Sequence, residues 1–300
     1  MNVSQCPFVS VVIPVFKGGD SLNRCLAALD RQVYPQERFE ILVVFNDTED
    51  HSDVPSLHQC VVRYLQEPRS GSYSARNRGV VAATGSIFAF TDVDCIPDPE
   101  WLNRGVQALL DNPGSGFAAG NIEFIPAAAS RGSAAQLYEK IIYFRQKTYV
   151  CEYGFAVTAN LFVRREVMDQ VGLFEGTLKS GGDVDWGLRA TSLGFTGVYE
   201  PGAIVRHEHR TLPELLRKAR RVAGGTVDRD RLRHQTRNRS ALFDLKEELR
   251  TLRNDLSLIA GSDTSESNQV VRMCIIARTV FCLRLAERWR IRLGGTSLRG

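Results

Sequence analysis

Short apolar runs that end in polar residues alternate with helical patterns through the first part of the chain. Continuous apolar and β-branched residues occupy 8–16 and 39–45, a pattern typical of parallel strands covered on both faces. Between these runs, apolar residues recur at helical spacing over 22–29, and Asp20 or Ser21 is the expected N-cap. The pattern therefore predicts a β-loop-α unit followed by a second strand.

A third apolar run, 87–90, ends in two closely spaced carboxylates, Asp92 and Asp94. Carboxylates so close together repel each other, and their desolvation beside a buried strand is costly unless a cation compensates them. Oxygen ligands of this kind suit Mg²⁺ or Mn²⁺. The same pair is also typical of a strand-end turn in which each Asp caps backbone amides.

The order of these elements indicates the fold class. A further short strand over 61–65 and a helix over 72–83 precede the strand that ends at Asp92. Alternating strands and helices predict an open α/β sheet that is mostly parallel, in which ligands bind beyond the carboxyl ends of the strands. The polar clusters 17–21, 46–50 and 92–94 follow three such ends, so they are expected to line one crevice.

After residue 94 the alternation is less regular. The patterns predict helices over 101–110, 136–147 and 164–171, and strands over 117–124 and 158–163. The segment 127–135 is rich in Ala, Ser and Gly, and together with the helix that follows it predicts either a mobile flap or a fixed surface helix. Two glycines then precede Asp183, Asp185 and Trp186 at the start of another predicted helix. A last short strand is expected over 194–199, and the segment 205–210 closes this part of the chain.

The C-terminal part of the chain differs in charge and pattern. Residues 211–300 contain 19 Lys and Arg against 10 Asp and Glu, whereas residues 1–210 contain 19 against 24. Helical patterns over 212–223, 241–259 and 270–293 predict a basic, mainly helical extension. Its charge fits contact with anionic lipid, with a polyanionic acceptor or with nucleic acid, and it also fits a solvated helical surface. The charges of 270–293 fall on all sides of the helix, which does not favour a membrane-surface amphipathic helix.

Composition limits the class of protein further. The chain has 300 residues, and 43% of them are hydrophobic, which is enough for a full core. Its seven Cys residues form no CxxC pair and no zinc-type cluster, so free thiols in a reducing compartment are expected. No apolar run approaches the length of a membrane-spanning helix. These features predict a cytoplasmic protein, with peripheral attachment to the inner face of the membrane left open.

Seven segments in one order resemble inverting family 2 glycosyltransferases with the GT-A fold. The resemblance covers about residues 7–225, and its segments are VSVVIPVF at 9–16, EILVVFNDTED at 40–50, ARNRGVVAATG at 75–85, FTDVDCIPDPEWL at 90–102, TANLFVRREVMDQVGLF at 158–174, GGDVDWGLRA at 181–190 and VRHEHR at 205–210. It implies a catalytic domain over 1–210 with the C-terminal helical extension over 211–300.

The resemblance implies a nucleoside-diphosphate sugar as donor. Pro14, Val15 and Phe16 would form the wall against which the nucleobase and ribose rest. Asn46 lies where the family places a residue that recognises the base. An amide suits this role, because it both donates and accepts hydrogen bonds. Here Phe45 and Asn46 replace the commoner Asp-Asp pair.

The resemblance also places other polar residues around the donor. Arg76 and Asn77 would direct positive charge and amide hydrogen bonds toward the nucleotide or the diphosphate. Asn160 would contact the donor sugar or the acceptor.

The same resemblance implies roles in metal binding and catalysis. Asp94 would bind a divalent Mn²⁺ or Mg²⁺ ion that bridges the donor phosphates, and Asp92 would contact the ribose, a metal-bound water or the ion. His207 lies where some members supply a further metal ligand. Asp183 matches the catalytic base, although Gly182 stands where the family often has Glu.

Alternatives to this function remain open at this stage. A sugar-phosphate nucleotidyltransferase also places carboxylates and a metal beside a nucleotide, but only the faint glycine loop 17–19 resembles its phosphate loop. A non-catalytic nucleotide-sugar-binding protein on the same scaffold would not need Asp92, Asp94 and Asp183 together. We therefore expect transfer to a hydroxyl of a glycan or lipid-linked acceptor in cell-surface polysaccharide or glycolipid synthesis. Nucleic acid is not expected as a partner.

Overall fold

The computed structural model describes residues 6–47, 60–125, 132–233, 241–262, 264 and 266–298. Residues 48–50 of the predicted polar cluster and residues 127–131 of the predicted flap lie outside the described residues.

The strands and helices follow the alternation that the sequence predicts for the first half. The strands are β1 (Val9–Val15), β2 (Phe39–Phe45), β3 (Val61–Gln66), β4 (Ile87–Thr91), β5 (Cys95–Pro97), β6 (Ser115–Ile125), β7 (Asn160–Arg164) and β8 (Thr196–Glu208). The α-helices are α1 (Gly19–Leu29), α2 (Ser72–Ala82), α3 (Trp101–Asp111), α4 (Ala134–Ile142), α5 (Gln146–Tyr153), α6 (Arg165–Val171), α7 (Gly182–Ser192), α8 (Leu212–Leu232), α9 (Ala241–Ala260) and α10 (Ser267–Arg292).

The chain divides into two compact units. The first contains Met1–Glu123, Gln146–Thr177 and Gly182–His207, and the second contains Phe124–Arg145, Leu178–Gly181 and Glu208–Gly300. The predicted boundary at residue 210 lies close to the start of the last segment of the second unit. Two earlier segments that the sequence places in the catalytic domain belong to the second unit as well.

The first unit contains one eight-stranded sheet in the order β3-β2-β1-β4-β7-β6-β8-β5. Strands β3, β2, β1 and β4 are parallel to one another. Every residue of β1, β2 and β4 is buried, as their continuous apolar sequences require. The carboxyl ends of these strands lie at one edge of the sheet, so the parallel half places the predicted polar clusters there.

The other half of the sheet is antiparallel. Strand β7 pairs antiparallel with β4 and with β6, and β5 pairs antiparallel with β8. Strand β5 was not predicted, and β8 continues well beyond the one short strand predicted over 194–199. The pairing of β5 with β8 places Cys95 opposite His207, and it thereby brings the segment after Asp94 next to the end of β8.

Two helix boundaries differ from the sequence prediction. Helix α1 begins at Gly19 after an N-cap Gly18 that has no side-chain cap, so neither Asp20 nor Ser21 caps it. The helix predicted over 136–147 is two helices, α4 and α5, and Phe144 between them has a left-handed φ of 56°. A bulky residue in this conformation interrupts helical hydrogen bonding.

The second unit is a helical bundle of α4, α8, α9 and α10. Its apolar core is formed by residues from all four helices, namely Ala135, Tyr138, Leu215, Ala219, Ile259, Met273, Ile276, Ala277 and Val280. Tyr138 on α4 is fully buried. Helix α4 is therefore a core element of this bundle. It is neither the mobile flap nor the fixed surface helix that the sequence predicted.

A buried ionic seam explains the lack of a clean apolar stripe in α10. Arg288 contacts Asp244 and Glu248 of α9, and Arg284 contacts Glu248. The acidic partners are almost completely buried, so these ion pairs compensate charges that would otherwise be very costly to desolvate. Part of the positive charge of 211–300 is thus neutralised inside the second unit.

Candidate active site

Asp92 follows β4 directly and is held by an arginine from α2. Arg76 is almost fully buried and donates through Nη2 to Asp92 Oδ1, while the Asp92 side chain is 32% exposed. A guanidinium charge at hydrogen-bond distance compensates the carboxylate and fixes its orientation. In the structure Arg76 therefore binds Asp92. The sequence analysis predicted that it would bind the nucleotide or the diphosphate.

Asp94 lies beside the imidazole of His207. His207 Nε2 is 3.1 Å from Asp94 Oδ2; the imidazole is buried, and the Asp94 side chain is 43% exposed. The pairing of β5 with β8 creates this contact, because it places the end of β8 next to the turn that follows β4. One carboxylate oxygen and one imidazole nitrogen thus converge at the edge of the sheet.

The predicted metal ligands come together only in part. Within the described residues, no group of three or more His, Cys, Asp or Glu side chains is spaced to hold a metal ion. Asp94 and His207 converge, whereas Asp92 is bound by Arg76. At 3.1 Å the Asp94 and His207 side chains are at hydrogen-bond distance from each other, and they would offer a divalent ion one oxygen and one nitrogen ligand. These two residues fit a metal whose other ligands are phosphate oxygens and water.

Two buried thiols lie close to the carboxylate pair. Burial raises the pKa of Cys25 and Cys95, and the negative charges of Asp94 and Asp92 raise it further. Both thiols therefore stay neutral at physiological pH, and a neutral thiol is a poor metal ligand. This leaves the carboxylate and imidazole groups as the ligands available at this edge.

Asp183 lies in the first turn of α7 and accepts two hydrogen bonds on one oxygen. The hydroxyl of Tyr73 donates to Asp183 Oδ1 over 3.1 Å, and the Val184 amide donates to the same atom over 2.9 Å. The N-terminal end of a helix also favours a negative charge. The carboxylate is half-buried, so it is both oriented by the protein and open on one side.

Tyr73 is a site residue that sequence reasoning missed. Its ring covers Gly182, where a Cβ atom would lie only 2.8 Å from Tyr73 Cδ2. The glycine that replaces the usual Glu is therefore required by the position of the Tyr73 ring. A signal was present in the sequence, because Tyr73 precedes Arg76 by one helical turn and so lies on the same face of α2.

The predicted nucleobase wall is reduced to one residue. Pro14 and Val15 are buried within β1, whereas Phe16, just beyond the strand, is 45% exposed. Lys17 follows in a left-handed conformation with φ 54°, and its Nζ lies 5.7 Å from the centre of the Phe16 ring. Phe16 is thus the residue of the three that presents an apolar face to solvent.

Asn46 has a different role from the one predicted. Its Nδ2 donates to the carbonyls of Glu67 and Arg69 over 2.8 and 2.7 Å, and its Oδ1 accepts from the Gly71 amide over 2.6 Å. Both amide hydrogens are used, so no donor remains for a base edge. Asn46 instead fixes the loop that precedes α2.

Asp47 is a second residue that the sequence analysis did not single out. Its buried carboxylate accepts a hydrogen bond from the Lys17 amide over 2.9 Å. This contact joins the loop after β2 to the turn after β1, and it holds the backbone next to Phe16. The signal in the sequence was a carboxylate directly after the end of a buried strand.

Asn77 and Asn160 also bind backbone groups. Asn77 donates to the Phe174 carbonyl and accepts from the Phe174 amide. Asn160 is fully buried, donates to the carbonyls of Asn121 and Ala203, and accepts from Trp101 Nε1. Both side chains therefore have structural hydrogen bonds in addition to the ligand contacts that the sequence predicts.

Trp186 and Asp185 make contacts that stabilise α7. Trp186 is buried, packs against Phe117 and Phe174, and donates through Nε1 to the Gly172 carbonyl. Asp185 pairs with Arg189 one turn later on the same helix. These contacts give Trp186 a packing role.

The matches with known proteins agree with this geometry. The family model described as glycosyl transferase family 2 matches residues 10–172, more than half of the chain. The chain belongs to glycosyl transferase family 2. This membership confirms the family predicted from the seven segments, and with it the prediction that the protein is a glycosyltransferase.

Two relatives by sequence carry glycosyltransferase names. Glycosyltransferase AglE of Haloferax volcanii is 36% identical over 229 residues, which cover 75% of this chain and 74% of the relative. The pre-mycofactocin glycosyltransferase of Mycobacterium tuberculosis is 27% identical over 210 residues, covering 68% of this chain. The match spans 43% of the length of the mycobacterial relative.

A solved structure with the same fold supports the predicted fold class. The mannosyltransferase PcManGT from Pyrobaculum calidifontis, in complex with GDP-Man and Mn²⁺, superposes with a TM-score of 0.62 at 16% identity. The superposition covers 97% of this chain and 88% of the mannosyltransferase. The GT-A fold, with a central α/β sheet flanked by helices and a C-terminal helical region, is thereby confirmed.

Proposed function

We propose that this glycosyltransferase is a metal-dependent, inverting enzyme that transfers a sugar from a nucleoside-diphosphate sugar to a hydroxyl acceptor. The observation that carries the proposal is the link between two carboxylates within the first unit. Asp183 is bound by Tyr73, and Asp92 is bound by Arg76 from the same helix. Asp183 is thus available for proton removal, while Asp92 lies beside the pair Asp94 and His207.

The chemistry follows from the charges of these groups. Asp183 takes the proton of the acceptor hydroxyl as the new bond to the sugar forms and the bond to the diphosphate breaks. A single base on the face opposite the leaving group gives inversion of the sugar carbon. Asp94 and His207 would hold a divalent ion, which neutralises the charge of the departing diphosphate when bound. The mannosyltransferase of the same fold binds Mn²⁺ with GDP-Man.

Donor binding in this proposal uses Phe16 and Asp92. Phe16 offers an exposed aromatic face for the nucleobase or ribose, and stacking on such a face does not depend strongly on the identity of the base. The second oxygen of Asp92 would contact the ribose or a metal-bound water. The three asparagines that bind backbone groups hold the surrounding loops in place.

A panel of nucleoside-diphosphate sugars tests the proposal directly. With Mn²⁺ and a mixture of glycan and polyprenyl-phosphate-linked acceptors, the full chain is expected to release nucleoside diphosphate and to form a product of inverted configuration by NMR. Chelation with EDTA should stop the release. Release of pyrophosphate from a nucleoside triphosphate and a sugar phosphate would instead identify the nucleotidyltransferase. Donor binding without any release would identify a non-catalytic binding protein.

The substitution Asp183→Asn separates catalysis from binding. It is expected to lower transfer by at least about 10³-fold, within the range reported for loss of an essential acid–base group, with donor affinity nearly unchanged. Asp185→Asn is the matched control, because Asp185 is in the same turn but pairs with Arg189. Loss of donor binding together with transfer in Asp183→Asn would contradict the assignment of the base.

We further propose that the acceptor is a glycan or lipid-linked precursor and that the second unit contacts anionic membrane. A cavity of about 430 Å³ in this unit is mainly apolar, with Ser133, Ala134, Ala135, Arg210, Thr211, Leu212, Arg272, Ile275 and Ile276 as its lining. The Arg210 charge is paired with Glu139, so Arg272 is the cation of this lining that the proposal uses. Among the helices that the structure describes, none has the length and apolarity needed to cross a bilayer. Surface contact driven by charge is salt-dependent.

Vesicle sedimentation tests the membrane contact. The full chain is expected to sediment with vesicles that contain phosphatidylglycerol, to stay in solution with phosphatidylcholine alone, and to dissociate at high salt. Equal binding to both vesicles, or binding that salt does not weaken, would contradict the proposal.

A further inference from the structure

Helix α2 contacts two carboxylates of the site through residues one turn apart. Tyr73 and Arg76 lie on the same face of the helix, since residues separated by three positions are neighbours on a helix surface. The Tyr73 hydroxyl donates to Asp183, and Arg76 donates to Asp92. The guanidinium of Arg76 also lies 5.4 Å from the centre of the Tyr73 ring. The first two turns of α2 therefore contact both carboxylates.

The position of the Tyr73 ring is fixed by its neighbours. The side chain is buried and packs against Phe174 with a centroid distance of 5.9 Å. On another side the ring meets the backbone of Gly182, which leaves no room for even a methyl group. A ring enclosed in this way retains one orientation, so its hydroxyl is directed at Asp183 without further loss of side-chain entropy.

The helix itself is anchored at its N-terminal end. Asn46 accepts from the Gly71 amide, Ser74 donates to the Gly176 carbonyl over 3.1 Å, and Asn77 binds both backbone groups of Phe174. These contacts connect α2 to the end of β2 and to the loop before α7. Tyr73 and Arg76 are thus carried by a rigid element.

We propose that Tyr73 is a positioning residue for the catalytic base. Its hydroxyl holds Asp183 through Oδ1. Helix α2 thereby sets the distance between the carboxylates of Asp183 and Asp92. The inference rests on the proposed role of Asp183 as the base. Asp183 Oδ1 accepts from both Tyr73 and Val184, whereas no hydrogen bond reaches Oδ2 from the residues that the structure describes. Oδ2 is therefore the atom that receives the acceptor proton.

The substitution Tyr73→Phe tests this role with little disturbance, because it keeps the ring and removes only the hydroxyl. We expect kcat for nucleoside diphosphate release to fall by about 10- to 100-fold, the loss that corresponds to one hydrogen bond to a charged group. The donor KM should change by less than about threefold, since the hydroxyl orients the base and not the donor. Tyr34→Phe is the matched control, because the Tyr34 hydroxyl donates to the Pro7 carbonyl at the opposite end of β1.

A double-mutant cycle separates positioning from general packing. In an Asp183→Ala background, Tyr73→Phe should cause no further loss of residual activity, because Tyr73 acts through Asp183. A wild-type kcat in Tyr73→Phe, or an equal loss in both backgrounds, would overturn the inference.

A stability readout keeps this test separate from the test of the function. If the wild-type chain released no nucleoside diphosphate from any donor, the proposed function would fail by itself. The contact between Tyr73 and Asp183 is then tested by thermal unfolding. The midpoint is measured for Tyr73→Phe, for Asp183→Ala and for the double variant. Non-additive shifts are expected, and strictly additive shifts would overturn the inference.

Discussion

His207 Nε2 lies 3.1 Å from Asp94 Oδ2, although the two residues are far apart in the sequence. The contact depends on the short strand β5, which pairs with the end of β8 and places Cys95 opposite His207. A pair of side chains that could hold a metal is therefore assembled by strand pairing and not by a local sequence motif.

The first prediction concerns metal affinity. His207→Gln is expected to raise the Mn²⁺ concentration for half-maximal activity by at least about 10-fold, because an imidazole ligand is replaced by a weaker amide. The measurement is a Mn²⁺ titration of nucleoside diphosphate release. Asp98→Asn is the control, since Asp98 follows the other end of β5 and pairs with Arg206. An unchanged titration for His207→Gln would exclude the histidine as a ligand.

The second prediction concerns the glycine beneath Tyr73. Gly182→Ala places a methyl group 2.8 Å from the Tyr73 ring, so the ring must shift and its hydroxyl must leave Asp183. We expect a loss of about 1–3 kcal/mol in the free energy of unfolding and a lower kcat. Gly114→Ala is the control, because a Cβ atom there meets nothing within 4 Å. A variant with full activity would show that the Tyr73 position is not needed.

The third prediction concerns Asn160, whose role differs from the sequence prediction. Asn160→Ala removes three buried hydrogen bonds and leaves Trp101 Nε1 and two carbonyls without their partner. The expected cost is about 3–5 kcal/mol of unfolding free energy in urea. The donor KM of the folded fraction should not change. Asn103→Ala is the control, because it removes only a local hydrogen bond to Glu100. A raised donor KM in Asn160→Ala would support the predicted contact between Asn160 and ligand.

The fourth prediction concerns the pH dependence of stability through Glu40. Burial raises the pKa of this carboxyl, but hydrogen bonds from Thr84, Ser10 and Arg63 outweigh burial and lower the pKa below its ordinary value of 4.5. A lowered folded-state pKa means that the stabilisation is complete above 4.5 and is lost as the pH falls through the folded-state value. The free energy of unfolding should therefore decrease in acid.

The substitution Glu40→Gln tests this assignment. It is expected to cost about 2–4 kcal/mol at neutral pH, because hydrogen bonds to a buried charged group are lost. It should also reduce the decrease in stability measured by urea unfolding between about pH 7 and about pH 3. Glu37→Gln on the exposed turn before β2 is the control. The same acid dependence in Glu40→Gln and wild type would assign the effect to other groups.

The ionic seam of the second unit shows why its helices were predicted and its packing was not. Helical spacing over 212–293 is a local property, and α8, α9 and α10 occur close to the predicted ranges. The partners of Arg284 and Arg288 are acidic residues on α9. A charged residue on a helix has the same sequence pattern whether it faces water or a buried partner, so only packing distinguishes the two.

The sequence by itself determined the family, the parallel strands β1, β2 and β4, and the position of Asp92 and Asp94 after β4. These features depend on apolar runs and their ends, which are local in the chain. Tertiary structure decided the roles of the polar residues. Asn46, Asn77 and Asn160 bind backbone groups that are distant in sequence, and an amide has the same pattern whether its partner is backbone or ligand. Tyr73 was identified only by its contact with Asp183.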